Sequence, residues 1–341
     1  MLIRSQIATL VILRSREGNL FSQLPLEMVH HIYKMSGEPT SDIGKLLHAV
    51  ISGHSDSVKT MLDANPRLLL QASDVITPSE DTVAYVTPYE CALGAGDVEM
   101  AVEIASYFSR IKGGQTDRAS QYARYKWHID HMPHQPVYDF KPLFQIINNS
   151  SDDDVRAALN KNFEHPGTLN DALMEFRKAF KPGIIKSGMH FNYMNMLQVL
   201  ETFHLAFQES DNVVFNDDRY HLGWLQVCGF IMRGLPACDR QALAQGLQNI
   251  VLLKKPVTRS FKCSIGDKEL PVKEYDSMGF GFDFTINELG CRTEKRFNSD
   301  IYHFISLLET YYQTKLEGLQ NLYIQNDDKD LNHIQEQKSY A

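Results

Sequence analysis

Two stretches of the chain repeat one another: LLHAVISGHSDSVKTML at residues 46–62 and TPYECALGAGDVEMAVEIA at residues 87–105. Aligned on Gly53 and Gly96, each has alanine four residues earlier (Ala49, Ala92) and a large apolar residue seven earlier (Leu46, Tyr89). Each has another apolar residue eight later, Met61 and Ile104. The spacing predicts two helical hairpins. The small alanine lets paired antiparallel helices approach, and glycine ends the first helix in a left-handed conformation that other residues resist. Thr87-Pro88 opens the second unit, where proline fixes φ in a first turn that needs no amide donor. The later apolar residue buries the second helix of each pair against its neighbour.

This pattern, with Thr87-Pro88 in the place of a T-P-L-H opening, resembles the ankyrin repeat and covers residues 44–110. The resemblance implies stacked helix pairs joined by finger loops, and a binding function. Gly53 and Gly96 are 43 residues apart, whereas ankyrin repeats recur at about 33. The surplus falls between Ala72 and Val86, in the finger. Repeat insertions map to loops, often on the binding face, so Ser79, Glu80, Asp81, Thr82 and Tyr85 are the candidate protein-binding residues. Two repeats do not close a core alone. A helix before them and one over residues 115–128, with Tyr122, Tyr125 and Trp127, are the expected caps.

Around this module the periodicity is helical. In residues 191–208, Tyr193, Met196, Leu200, Phe203 and Phe207 form one stripe, as do Ile301, Ile305, Leu308, Tyr312, Leu316 and Leu319 in residues 300–323. Ser151 followed by three aspartates marks a helix start, and Thr168 with Asp171 marks another, in a helix ending near Lys181. Residues 260–265 and 269–274, around Gly266-Asp267, read as a β-hairpin with Pro271 on an edge strand, and further β structure is expected over Met278–Ile286. The fold class expected is mainly α: a short ankyrin-type helical repeat module joined to a larger helical domain with a small hairpin. The boundaries expected are an N-terminal helical segment at 1–42, repeats and cap at 43–135, and a C-terminal helical domain at 136–325. A polar, frayed tail at 326–341 follows.

Composition bounds the function. Of 341 residues 43% are hydrophobic and 22% charged, as in ordinary globular chains. A net charge of −8 argues against broad nucleic-acid binding, which needs a basic surface. Lys254, Lys255, Arg259 and Lys262 form one local basic group, read as a solvated face. The five cysteines are scattered without a CxxC pair, so neither a disulfide framework nor a thiolate zinc site is expected. No apolar run approaches the roughly 18–20 residues of a membrane span. The short run Ile7–Leu13, followed by Arg14 and Arg16, does not read as a signal peptide.

Upstream, LFSQLPLEMVHHIY at residues 20–33 resembles the start of an F-box, through Leu24, Pro25, Met28 and Ile32. That resemblance implies docking on the Skp adaptor of a ubiquitin ligase; a capping helix with Pro25 in its first turn explains the same residues. The repeats together with residues 138–282 resemble the ankyrin-repeat effectors of Legionella-type intracellular bacteria, many of them injected by type IV secretion. This implies a virulence role, a host protein as partner, and a location in the host cytoplasm after secretion; a cytoplasmic location is the alternative. The function expected is protein–protein interaction without cofactor or metal. The alternative is an enzyme whose catalytic site lies in the C-terminal helical domain, with the repeats selecting substrate.

Catalytic candidates are few. His128, His131 and His134 recur every three residues beside Asp130, but without an HExxH pattern or a second ligand cluster. Cys238 with His190 or His204 matches no cysteine-protease signature, and a buried thiol is the plainer reading. Gly279-Phe-Gly-Phe282 lacks the context of a phosphate loop. Asp211, Asp217 and Asp218 read as a solvated turn. No residue is assigned to catalysis or to a metal.

Overall fold

Gly53 and Gly96 adopt φ of 71° and 65°, the left-handed conformation that the repeat spacing requires. At the first, Gly53 N donates to Val50 O (3.0 Å) and His54 N to Ala49 O (2.8 Å); at the second, Gly96 N donates to Leu93 O (2.9 Å) and Asp97 N to Ala92 O (3.0 Å). Each pair of bonds satisfies two carbonyls that a helix end leaves open. The same four-residue lead from alanine to glycine therefore produces the same turn twice.

The computed structural model describes residues 41–162, 164–208 and 217–259, the backbone of 262–265 and 268–271, and a helix from 301, with side chains to 322 and backbone to 339. The chain order is α1 (Asp42–Ile51), α2 (Ser55–Ala64), β1 (Ser73–Ile76), β2 (Thr82–Val86), α3 (Pro88–Gly94), α4 (Val98–Tyr107) and α5 (Gly114–Asp130). It continues with α6 (Lys141–Asn149), α7 (Asp152–Leu159), α8 (Thr168–Ala179), β3 (Ile184–Ile185), α9 (Tyr193–Gln208), α10 (Asp218–Leu222) and α11 (Gly229–Arg233). Last come α12 (Ala237–Gln245), α13 (Leu247–Val251), β4 (Lys262–Ile265), β5 (Lys268–Pro271) and α14 (Ile301–Ser339). The fold is mainly helical with small β elements.

Two units divide the chain. The first gathers residues up to Pro133, then Gly183–His190, then Tyr312 onward; the second takes His134–Pro182 and Phe191–Tyr311. The chain passes between these units at Pro133, Pro182, His190 and Tyr311.

In the first unit α1 and α2 form one hairpin and α3 and α4 the next. Leu46, Tyr89 and Ile104 are fully buried, with Ala49 and Ala92 beneath the turns. Met61 is only half-buried; its neighbour Leu62 takes the core position instead. The second pair starts on a full capping box: Glu90 N donates to Thr87 Oγ1 and Thr87 N to Glu90 Oε2. Helix α5 closes the core as expected and α14 closes it as well, a role the sequence does not mark; the cap expected before the repeats lies outside the described residues. Tyr122 and Tyr125 of α5 are buried, and Tyr122 donates its hydroxyl to Leu319 O of α14 (2.9 Å). Gly318 of that helix lies so close to Val98 that a Cβ there would sit 2.9 Å from its methyl. Trp127, expected among the capping residues, is instead 62% exposed, because the helix turns it away from the buried face of Tyr122, Tyr125 and Ile129.

The second unit packs its helices around aromatic side chains. Phe144 meets Phe203 at 5.9 Å between ring centroids, Phe203 meets Trp224 at 5.5 Å, and Phe176 meets Phe230 at 5.3 Å. Between α10 and α11 the helix loosens to π geometry over Gly223–Cys228, and there the fully buried Gln226 is used at both ends. Its Nε2 donates to Ala158 O (3.0 Å) and its Oε1 accepts from Arg177 Nη2 (2.7 Å), as a buried amide requires. Ser151 caps α7 as read, its Oγ accepting from Asp154 N. Thr168 does not cap α8: Gly167 holds that position without a side-chain bond, and the helix ends at Ala179.

The β4–β5 hairpin falls where the sequence places it. Strands β1, β2 and β3 form a second sheet, which the sequence pattern does not announce. The tail expected to fray instead continues α14 to Ser339. After Gly318 the chain has neither glycine nor proline, so nothing in the backbone interrupts the helix. Leu24, Pro25, Met28 and Ile32, and the strand expected over 278–286, lie outside the described residues.

Candidate binding site: the finger hairpin

Strands β1 and β2 are antiparallel, with Val75 opposite Val83 and Ile76 opposite Thr82. The register shifts between Ser73 and Val75, so a bulge interrupts the alternation by which a strand is recognised in sequence. Val75, Val83 and Val86 are buried and hold the finger to the helices.

At the tip the polar residues bond one another. Thr77 N donates to Asp81 O (2.8 Å) and Glu80 N to Thr77 O (2.9 Å), while Asp81 N donates to Thr77 Oγ1 (3.0 Å). Ser79 Oγ donates to Asp81 Oδ2 (3.2 Å). The other oxygen, Asp81 Oδ1, accepts from Gly183 N (2.8 Å), and Thr82 N donates to Gly183 O (2.9 Å). These bonds seat β3, which pairs parallel to β2 through Thr82 with Ile184 and Val83 with Ile185. The candidate residues therefore separate. Ser79 and Asp81 build the turn and fasten the strap, and Thr82 is 4% exposed, turned inward beside the valines.

Glu80 carries the turn with φ of 73°. Tyr85 is the residue presented outward. It is 81% exposed, its φ is 51°, and its amide donates to Asp74 Oδ1 across the hairpin (2.8 Å). A bulky residue in the left-handed region costs about 1 kcal/mol or more. The base of the finger is fixed by buried polar groups. Gln121 Nε2 donates to Leu69 O (3.0 Å), and Thr87 Oγ1 lies 2.7 Å from Gln121 Oε1. Arg124 closes the group with an ion pair to Glu90.

The strap ends at His190, whose amide donates to Gly94 O (2.7 Å). Its ring is 8% exposed and lies against Gly94, where a Cβ would come within 2.4 Å of Nε2. Neither ring nitrogen has a hydrogen-bond partner among the described residues. Burial drives its pKa down from 6.5 to about 3, so the ring is neutral.

The catalytic candidates disperse. Cys238 is 5% exposed and its thiol lies 3.7 Å from Asp239 Oδ1. That carboxylate also accepts the hydroxyls of Tyr193 and Tyr311, each at 2.9 Å. The group sits in the core of the second unit. His204 packs edge-on against Tyr302, 4.0 Å between centroids, and burial lowers its pKa. Burial raises the thiols of Cys91 and Cys228 well above the ordinary range, which makes them poor nucleophiles. His131 stacks on Trp127 at 4.2 Å with Nδ1 2.8 Å from Trp127 O. Among the described residues no group of three or more His, Cys, Asp or Glu side chains is arranged to hold a metal ion. Asp217 caps α10 through Arg219 N (2.8 Å); Asp211 and Gly279–Phe282 lie outside the described residues.

Comparison with protein-family models, with curated proteins and with solved structures finds no match to this chain. Among the described residues, no helix is long and apolar enough to cross a membrane.

Proposed function

We propose that this chain is a protein-interaction molecule of the ankyrin type, whose finger hairpin offers Tyr85 to a protein partner. One observation carries the reading: a tyrosine 81% exposed, in a left-handed conformation, on the second strand of a hairpin otherwise tied down. Tyrosine gives a large contact area at low entropic cost and is enriched where binding energy concentrates. The bonds from Asp81 to Gly183 and from Tyr85 to Asp74 support it, because a pre-ordered loop loses little freedom on binding. The resemblance to secreted ankyrin-repeat effectors makes a host protein the proposed partner, met in the host cytoplasm after type IV secretion.

The test is affinity capture from host-cell lysate with the full chain and with Tyr85→Ala, followed by crosslinking from a photoreactive residue at position 85. Proteins captured by the wild-type chain, lost with the variant and crosslinked at 85 are the expected result. Equal capture by both chains, with no crosslink at 85, refutes the reading.

A further inference from the structure

Among the described residues of the second unit, two adjacent leucines stand exposed. Leu252 and Leu253 are 58% and 62% exposed, and the next residues, Lys254 and Lys255, are exposed as well. The loop is held in place. Leu252 N and Leu253 N both donate to Gln248 O at 3.1 Å, and Lys255 N donates to Asn249 O at 3.0 Å. Gln245 staples the far side, its Nε2 donating to Pro256 O (2.9 Å) and its Oε1 accepting from Thr258 N (2.8 Å). Lys254 and Arg259 both take left-handed φ, 51° and 59°. The leucines therefore point outward from an ordered loop at a backbone cost.

The local charge opposes that of the whole chain. Residues 240–259 contain Arg240, Lys254, Lys255 and Arg259 and no aspartate or glutamate, in a chain of net charge −8. Arg240 is buried, which leaves Lys254, Lys255 and Arg259 toward the loop surface. An apolar tip with two cations just behind it matches the layers of an anionic bilayer surface. Leucine enters the acyl boundary, and lysine reaches back to the phosphates and carboxylates.

We propose that residues Leu252–Lys255 form a peripheral contact with anionic membrane surfaces. The contact is reversible, because two leucines and two lysines fall short of an anchor.

The test is co-sedimentation of the full chain with vesicles of phosphatidylcholine, with and without phosphatidylserine. Wild-type chain sediments with the anionic vesicles and much less with the neutral ones. Lys254→Gln with Lys255→Gln weakens binding about 30-fold, near fivefold for each lysine at the surface. Leu252→Ser with Leu253→Ser weakens it at least about tenfold, through lost apolar insertion. An environment-sensitive fluorophore on Leu253→Cys brightens when anionic vesicles are added, and reads insertion independently of the double variants. Absence of sedimentation with anionic vesicles, wild-type binding by the leucine variant, or an unresponsive fluorophore overturns the proposal. So does retention on immobilised polyglutamate without vesicle binding, which makes the loop a contact for acidic proteins.

Discussion

Acid should loosen the strap at a pH set by His190. The docked imidazole holds its pKa near 3, against an ordinary 6.5, with burial as the cause. A released strap takes the proton first. Stability from the neutral ring is therefore complete above about pH 6.5 and declines as pH falls toward about 3. At 1.36 kcal/mol per unit the loss approaches about 5 kcal/mol at the acid limit, and is about 2 kcal/mol near pH 5. The measurement is urea unfolding at neutral pH and near pH 5, for wild-type chain and for His190→Leu. Burial also lowers His128 and His204, so both chains lose stability in acid; the difference between the two losses isolates His190. Wild-type chain is expected to lose about 2 kcal/mol more than the variant. The variant should be no less stable at neutral pH, since it replaces a buried ring whose nitrogens have no partner among the described residues. Equal pH dependence in both chains refutes the argument. Protection at Gly183 and Ile184, measured relative to intrinsic exchange at each pH, should fall in acid in the wild-type chain alone.

Gly94→Ala places a methyl 2.4 Å from His190 Nε2 and should cost about 1–3 kcal/mol by overpacking; denaturation of Gly94→Ala with His190→Ala should recover much of it. Tyr85→Gly removes the left-handed penalty and should leave stability unchanged or raised by up to about 1 kcal/mol, measured by thermal unfolding, while partner capture is lost. Thr87→Ala removes the hydroxyl of the capping box beside Gln121 and should cost about 1–2 kcal/mol, seen as a lower midpoint in urea with unchanged slope.

The buried core of the first unit was visible in the sequence because it is written in local rules. Ala49 with Gly53, and Ala92 with Gly96, encode a turn through the chirality of one residue and the size of another. Thr87, Pro88 and Glu90 encode a helix start within four positions. The connection between Ala72 and Val86 folds as a hairpin whose strands the sequence does not mark. A bulge at Ser73/Val75 breaks their alternation, and Tyr85 faces outward through a dihedral that residue type does not predict.

Tertiary structure decided what the finger residues do. Asp81 and Gly183 are 102 positions apart, and a parallel strand pair needs such a long crossover. No pattern of neighbours marks Ile184 and Ile185 as a strand or His190 as the end of a strap. The same holds for Leu252 and Leu253, apolar residues that a sequence assigns to a core by default. Sequence alone determined the local starts and stops at Ser151, Thr87, Gly53 and Gly96, since those energies reside within a few residues of one another; it did not settle the start of α8 or the end of α14. Which polar groups are spent inside the fold, and which side chains are left facing outward, was decided by contacts between distant segments.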